Sequence, residues 1–143
     1  MIEHESTRMT VRPAAKAVLY SGNDCLLVAG RSGRFNLPGG GIDDGETART
    51  ALYRELAEEL GLEHGHLSGL EEAGTVEGIV TPRDGSQVLA RWTIFIAKMV
   101  IPVQELIPGE DIFIVERVSR ETALQYTSPH ISNLALRTIQ LTT

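Results

Sequence analysis

Residues 40–62 constrain this chain more than any other stretch. They read GGIDDGETARTALYRELAEELGL and fix Gly40, Glu46, Arg54, Glu55, Leu56, Glu58, Glu59, Gly61 and Leu62 at set spacings. Thr47 to Leu60 contains no Gly or Pro and is dominated by Ala, Leu, Arg and Glu, all good helix formers. Gly61 stands where a left-handed C-terminal cap is wanted, and Asp43, Asp44 and Glu46 favour the positive N-terminal end. At ~100° per residue, Ala48, Leu52, Leu56 and Leu60 form one apolar stripe, which predicts a helix docked on a core. Glu55, Glu58 and Glu59 fall at i, i+3 and i+4, so their carboxylates converge on one patch. That patch borders the stripe, with Glu59 projecting between Ala48 and Leu52.

Three like charges at the edge of a buried face repel one another and lose hydration, so a cation is required to offset both effects. Arg54, four residues before Glu58, can neutralise or orient one carboxylate but hardly three. A hard divalent ion with oxygen ligands fits best, and Mg²⁺ or Mn²⁺ is the usual choice beside phosphates. A Glu-rich helix with an Arg partner is more often a plain solvated face. Three observations weigh against that here: Glu59 turns into the apolar stripe, Gly40 and Glu46 stand in register upstream, and a glycine-rich loop leads in.

The complete run, G-x5-E-x7-R-E-U-x-E-E-x-G-U with U aliphatic, resembles the signature of the Nudix hydrolases, which cleave nucleoside diphosphates linked to another group X. It covers 23 of the 143 residues. The resemblance implies an α/β/α sandwich with a mixed β-sheet and the signature as a loop–helix–loop on one side. It implies metal-assisted hydrolysis of a pyrophosphate bond, with Mg²⁺ as cofactor and Mn²⁺ as a possible substitute. Glu55, Glu58 and Glu59 would be the main ligands, and one of them or a later glutamate the general base. Arg54 would hold a carboxylate in its ligating rotamer, and Glu46 would act from behind the ligands or through water. The family often adds a backbone carbonyl from the entering loop, which maps to Gly39. It commonly adds one acidic ligand from a loop beyond the helix as well. Glu105 and Glu110, flanking Leu-Ile-Pro-Gly, are the candidates, and Glu105 joins the expected metal set.

Leu37-Pro38-Gly39-Gly40-Gly41 lets the backbone approach a ligand closely, which places Gly40 among the expected substrate contacts. Arg31 and Arg34 lie close to where a pyrophosphate would sit, and Arg suits bidentate phosphate contacts. A surface arginine is the commoner fate, and Arg31 is the better candidate of the two. Phe35 stands where related sequences often carry an aromatic, able to stack on a base or to pack the loop. His130 could reach the substrate from the last helix. Base selectivity would come from Phe35, His130 or Asn133. His4, His64 and His66 read as surface residues.

The loop reads Leu-Pro-Gly-Gly rather than the Phe-Pro-Gln-Gly associated with dinucleoside polyphosphate and RNA-cap-like substrates. The proline often found 15 to 17 residues beyond the signature in ADP-ribose hydrolases is missing, as is the Ser-Gln-Pro-Trp of NADH hydrolases. These absences lean toward a nucleoside triphosphate or a modified form of one. Hydrolysis of dinucleoside polyphosphates, nucleotide sugars or ADP-ribose is the alternative. A non-catalytic nucleotide-binding module is a third, although such proteins usually lose a paired glutamate or the arginine.

A chain of 143 residues is one domain of ordinary size, and residues 13–143 are expected to form it behind a tail over 1–12. The net charge of −6 argues against a nucleic-acid-binding surface and an anionic membrane partner, and makes long nucleic-acid substrates unfavourable. Cys25 is alone, so no internal disulfide forms, and within Asp-Cys-Leu-Leu-Val it reads as a buried strand thiol. The polar N-terminus lacks the apolar stretch of a secretory signal, and Trp92 to Val103 is too short to span a bilayer, so a cytoplasmic location is expected. Oligomeric state is not legible, and a homodimer stays open.

Periodicity predicts a hairpin from Ala14–Tyr20 and Cys25–Gly30, then an irregular loop through Gly41. After the signature helix come strands Gly69–Val80 and Gln87–Val100, joined by a Pro- and Gly-containing turn. A strand at Ile112–Val118, a short helix at Ser119–Leu124 and a last helix at Ser128–Gln140 follow. Strands before and after a central helix, with another helix at the end, suggest helices on both faces of a mixed sheet.

Overall fold

The computed structural model describes residues 9–81, 84–127 and 131–138. Among these residues, seven strands and three α-helices follow in order: β1 Thr10–Ser21, β2 Asp24–Ala29, β3 Phe35–Asn36, β4 Gly39–Gly41, α1 Ala48–Leu60, β5 Leu67–Val80, β6 Val88–Met99, β7 Ile114–Ser119, α2 Arg120–Tyr126 and α3 Ile131–Thr138. Among the described residues the strands form one sheet in the order β3-β2-β1-β6-β5, with β4 beside β1 and β7 beside β2. β1 and β6 run parallel from Thr10↔Val88 to Tyr20↔Lys98, and every other pair is antiparallel. The sheet is therefore mixed, as expected.

β1 is the axis of the molecule because its side chains alternate between two cores. Ala14 and Val18 join Leu27, Trp92 and Ile94 beneath Ala123, Ile131 and Leu136 of α2 and α3. Ala15, Ala17 and Leu19 join Leu26 and Phe95 beneath Ala51, Leu52, Leu56 and Leu60 of α1. Period-two alternation feeding a helix layer on each face makes the α/β/α sandwich. Small residues at Ala14, Ala15 and Ala17 let both layers close on the strand. Each of the three α1 leucines is fully buried, a burial that stabilises by about 2 kcal/mol apiece.

α1 starts at the Thr47 cap, whose side chain accepts from Thr50 N–H, and ends at Gly61 with φ 68°. Gly61 N–H returns to the Ala57 carbonyl at 3.0 Å and Leu62 N–H to the Leu56 carbonyl at 3.2 Å, closing the helix with a left-handed glycine cap. Ala51 is buried with the leucines while Ala48 is only half-buried, so the stripe lies slightly round from its expected centre. The acidic residues Asp43, Asp44 and Glu46 precede the cap rather than occupying the first turn.

Two expectations change. β1 begins at Thr10, so residues 10–12 of the expected tail are strand, paired in parallel with Val88, Leu89 and Ala90. The expected irregular loop holds two short strands: Phe35–Asn36 pairs with β2, and Gly39–Gly41 pairs with Ala14–Lys16 of β1. Backbone pairing needs no side chain, so a glycine run can lie flat along β1 where composition suggested no regular element. Cys25 is buried, and burial, with Asp24 adding to it, pushes its thiol up to about 11; it is an unreactive strand residue. Among the described residues, no helix is long and apolar enough to cross a membrane.

Candidate active site

The site lies where the β4 backbone meets the last two turns of α1. Arg54 is its hub. Its Nε and Nη2 each donate to a different oxygen of Glu46 at 2.8 Å, a bidentate fork. Nη1 donates to Glu55 Oε1 at 3.0 Å and to Glu58 Oε1 at 3.4 Å, and Nη2 also reaches the Gly41 carbonyl at 3.0 Å. The expectation that Arg54 serves a single carboxylate is thus too narrow. A planar guanidinium carries five donors and from one position hydrogen-bonds three glutamates, with Asp43 Oδ2 at 3.4 Å as a fourth carboxylate. The Glu46 carboxyl is held down at about 2, first by its hydrogen bonds from Arg54 and then by Asp43 N–H. Glu46 thus fixes Arg54, and Arg54 in turn fixes Glu55.

Glu59 is the carboxylate that Arg54 does not reach. It is turned under the glycine strand, where Gly39 N–H donates to Glu59 Oε1 at 2.8 Å. Burial pushes this carboxyl up to about 7, against the opposing pull of the Gly39 hydrogen bond and Lys16, while Glu55 and Glu58 add repulsion. Gly39 takes φ 125°, and a Cβ there would lie 2.2 Å from the Ala15 carbonyl oxygen. Only glycine allows this close approach. Gly40 lies against the Glu55 side chain, where a Cβ would come within 2.5 Å of its carboxyl carbon.

The loop after the 3-10 turn Val103–Glu105 lies across the C-terminal end of α1. Ile107 N–H donates to the Leu60 carbonyl at 2.9 Å and Gly109 N–H to the Glu59 carbonyl at 2.8 Å. The loop touches the helix through 107–109, so Glu110 follows directly on the contact, whereas Glu105 precedes it; both are exposed.

Whether a divalent ion fits can be judged on the donors themselves. Glu55, Glu58 and Glu59 are hard oxygen donors on adjacent turns, and the buried, repelled Glu59 carboxyl is the kind of group a cation relieves. Among the described residues, no three His, Cys, Asp or Glu side chains are gathered around one point. Glu55 is drawn toward Arg54 and Glu59 toward Gly39. The Glu58 side chain, 58% exposed, has room to swing between them. The donor set fits in kind and placement, with assembly left to rotamer changes.

The expected substrate contacts are less closely gathered. Arg31 and Arg34 are exposed. Phe35 packs on the α2–α3 core and stacks on Tyr126 at 5.0 Å between ring centroids. Asn133 is engaged within the helix pair, donating to the Leu124 carbonyl and accepting from Arg137. His130 lies outside the described residues.

Two residues at the site escaped the sequence reading. Lys16 is 8% exposed, and its ammonium donates to the carbonyls of Leu37 and Gly39, at 3.2 Å each, above the Trp92 ring. Its signal was visible as a lone charge inside the apolar run Ala14–Tyr20. At Gly109 a Cβ would lie 2.3 Å from the Glu58 carbonyl oxygen, and nothing in the neighbouring sequence marks that contact.

Residues 10–130 match the family model described as the NUDIX domain. The chain belongs to the Nudix family. Relatives match over short stretches. A Mycobacterium tuberculosis protein provisionally named 8-oxo-dGTP diphosphatase 2 is 56% identical over 43 residues, 30% of each chain. An RNA pyrophosphohydrolase of Shewanella baltica is 60% identical over 35 residues, 23% of this chain and 20% of that one. The chain thus matches less than a third of the length of either Nudix relative. Solved structures agree in fold over nearly the whole chain. The E. coli dihydroneopterin triphosphate pyrophosphohydrolase has a TM-score of 0.73 at 17% identity, covering 92% of this chain and 97% of that one. A C. elegans Ap4A hydrolase has a TM-score of 0.71 at 18% identity, covering 88% and 93%.

Proposed function

We propose that this Nudix protein hydrolyses a pyrophosphate bond in a nucleoside diphosphate linked to X, with a nucleoside triphosphate or a modified form of it as substrate. One observation carries the reading: the Glu59 carboxyl is buried beside Glu55 and Glu58 on α1 and anchored by Gly39, with Arg54 and Glu46 ordering the patch from the other side. A structural helix face has no use for a carboxyl under such strain; a divalent-ion site does. Membership of the Nudix family, and relatives named for pyrophosphate-bond hydrolysis, support it.

Glu55, Glu58 and Glu59 would hold Mg²⁺, with Mn²⁺ as a substitute. An ion held there would supply neutralisation of phosphate charge and a lowered pKa for an attacking water. Arg54 keeps Glu55 turned toward Gly40, and Glu46 keeps Arg54 from swinging into solvent. Gly39 N–H holds Glu59 in one rotamer. Gly40, bare of a side chain, leaves room for the Glu55 carboxylate itself, which a Cβ there would meet at 2.5 Å. Water adds to the α- or the β-phosphorus, the bridging P–O bond between them breaks, and the products are a nucleoside monophosphate and pyrophosphate. A glutamate takes the water's proton; Glu110, next to the Gly109 contact, joins Glu105 as the candidate from outside the helix. Glu110→Gln is expected to lower turnover by more than tenfold and Glu105→Gln by less than threefold; the reverse order would move that role to Glu105.

Leu-Pro-Gly-Gly in the entering loop, and the missing markers of subfamilies acting on larger substrates, favour the triphosphate. The name of the mycobacterial relative points the same way. Arg31, Phe35 and His130 remain the proposed substrate contacts, and a small-molecule nucleotide the proposed partner. Product analysis over triphosphates, 8-oxo-dGTP, ADP-ribose, nucleotide sugars, NADH and dinucleoside polyphosphates with Mg²⁺ tests the choice. Monophosphate and pyrophosphate from a triphosphate are expected. Efficient cleavage of ADP-ribose or a dinucleoside polyphosphate with triphosphates untouched would overturn the substrate and leave the chemistry standing.

A further inference from the structure

Lys16 belongs to the strand row that faces the α2–α3 core, yet it carries a charge. An isolated buried ammonium loses several kcal/mol of hydration, so its retention needs polar partners. Burial lowers its pKa, while Glu59 and then Glu55 oppose that fall. Three partners are visible. The carbonyls of Leu37 and Gly39 each accept from Nζ at 3.2 Å, and the Trp92 ring lies 4.8 Å from Nζ. Between those two carbonyls, the Pro38 carbonyl accepts from Ala17 N–H at 2.9 Å. Three consecutive carbonyls of the loop are therefore tied to β1, two of them by one side chain.

The consequence falls on Glu59. The Pro38 carbonyl, held by Ala17 N–H, turns the Gly39 N–H of the same peptide away from β1 to meet Glu59 Oε1 at 2.8 Å, and Lys16 holds the peptides on either side of it. The same clamp bears on the Gly39 carbonyl, the atom expected from the Nudix resemblance to ligate the metal, which here accepts from an ammonium.

We propose that Lys16 is a positioning residue of the active site, clamping the Leu37 and Gly39 carbonyls so that Gly39 N–H fixes the rotamer of Glu59. The inference rests on the reading of Glu59 as a functional carboxylate. It gives a buried charge in the opposite core a role in catalysis without contact with substrate. It also separates two jobs: Lys16 orders the loop from the β1 side, and Arg54 orders the patch from the solvent side.

The test compares Lys16→Met, which keeps length and apolar bulk but removes charge and donors, with Lys16→Arg, which keeps both. Two readouts are needed. The first is hydrogen exchange of the Gly39 amide in metal-free protein, referenced to the Ile94 amide of β6. The second is kcat and KM for the fastest-cleaved nucleotide of the panel above. Lys16→Met is expected to speed exchange at Gly39 at least about tenfold and leave Ile94 unchanged. It should lower kcat at least about tenfold with KM within about threefold, while Lys16→Arg stays within about threefold of the parent in all three. Unchanged exchange at Gly39 overturns the proposal, as does a loosened Gly39 with full kcat. A rise in KM alone overturns it too, by making Lys16 a substrate contact. If Lys16→Met does not fold, Lys16→Arg decides: loss of Gly39 protection in a folded protein that retains the charge refutes the clamp. Full activity of Glu59→Gln would instead overturn the reading of the site, an outcome distinct from any of these.

Discussion

The raised Glu59 carboxyl makes a stability prediction that needs no substrate. Its ordinary value of 4.5 is pushed to about 7 in the folded protein, chiefly by burial. Between those values the folded state keeps a proton that the unfolded state releases. Stability therefore falls as pH rises through that window and is flat in this respect above pH 7. A factor of ten in a proton equilibrium is about 1.4 kcal/mol, so the full loss is about 3 kcal/mol, or on the order of 10 °C in Tm for a chain of this size. Urea denaturation from pH 5 to pH 8 in EDTA measures it, and Glu59→Gln, which has no charge to bury, supplies the reference. The parent should lose about 3 kcal/mol relative to Glu59→Gln across the range. At pH 8, Mg²⁺ should recover much of it, because the ion binds the ionised carboxylate. If parent and variant run parallel from pH 5 to pH 8, the burial argument for a cation at Glu59 fails.

Arg54→Lys should lower kcat more than tenfold with little change in fold, because an ammonium cannot span Glu46, Glu55 and Glu58 together; activity within threefold of the parent would remove Arg54 as hub. Gly109→Ala should destabilise by about 1–3 kcal/mol and reduce kcat, because the new Cβ would press on the Glu58 carbonyl and part Gly109 N–H from Glu59. An unchanged urea midpoint would show that the loop has room to yield.

Much of the site was legible because helix periodicity is a strong signal. The spacing of Glu55, Glu58 and Glu59 against Leu52, Leu56 and Leu60 places carboxylates at the edge of a buried stripe, and the structure keeps them there. The sandwich followed from strands on either side of that helix, while the strand order needed the family resemblance. β3 and β4 were not legible because glycine carries no side-chain pattern, and pairing along β1 is a tertiary fact. Lys16 was visible as an odd charge in an apolar strand, but its partners are backbone carbonyls more than 20 residues away that no local pattern names. The Gly109 contact depends on a loop returning over α1 from beyond β6, equally remote in sequence.

The central claim is that the α1 glutamates hold the ion that drives pyrophosphate-bond hydrolysis, and the most direct measurement is kcat of Glu58→Gln and Glu59→Gln at saturating Mg²⁺. Each exchange keeps shape and removes one anionic ligand. Turnover should fall at least about a hundredfold in both, equivalent to about 2.7 kcal/mol of lost transition-state stabilisation, while each variant still unfolds cooperatively. Two folded variants with undiminished turnover would contradict the claim.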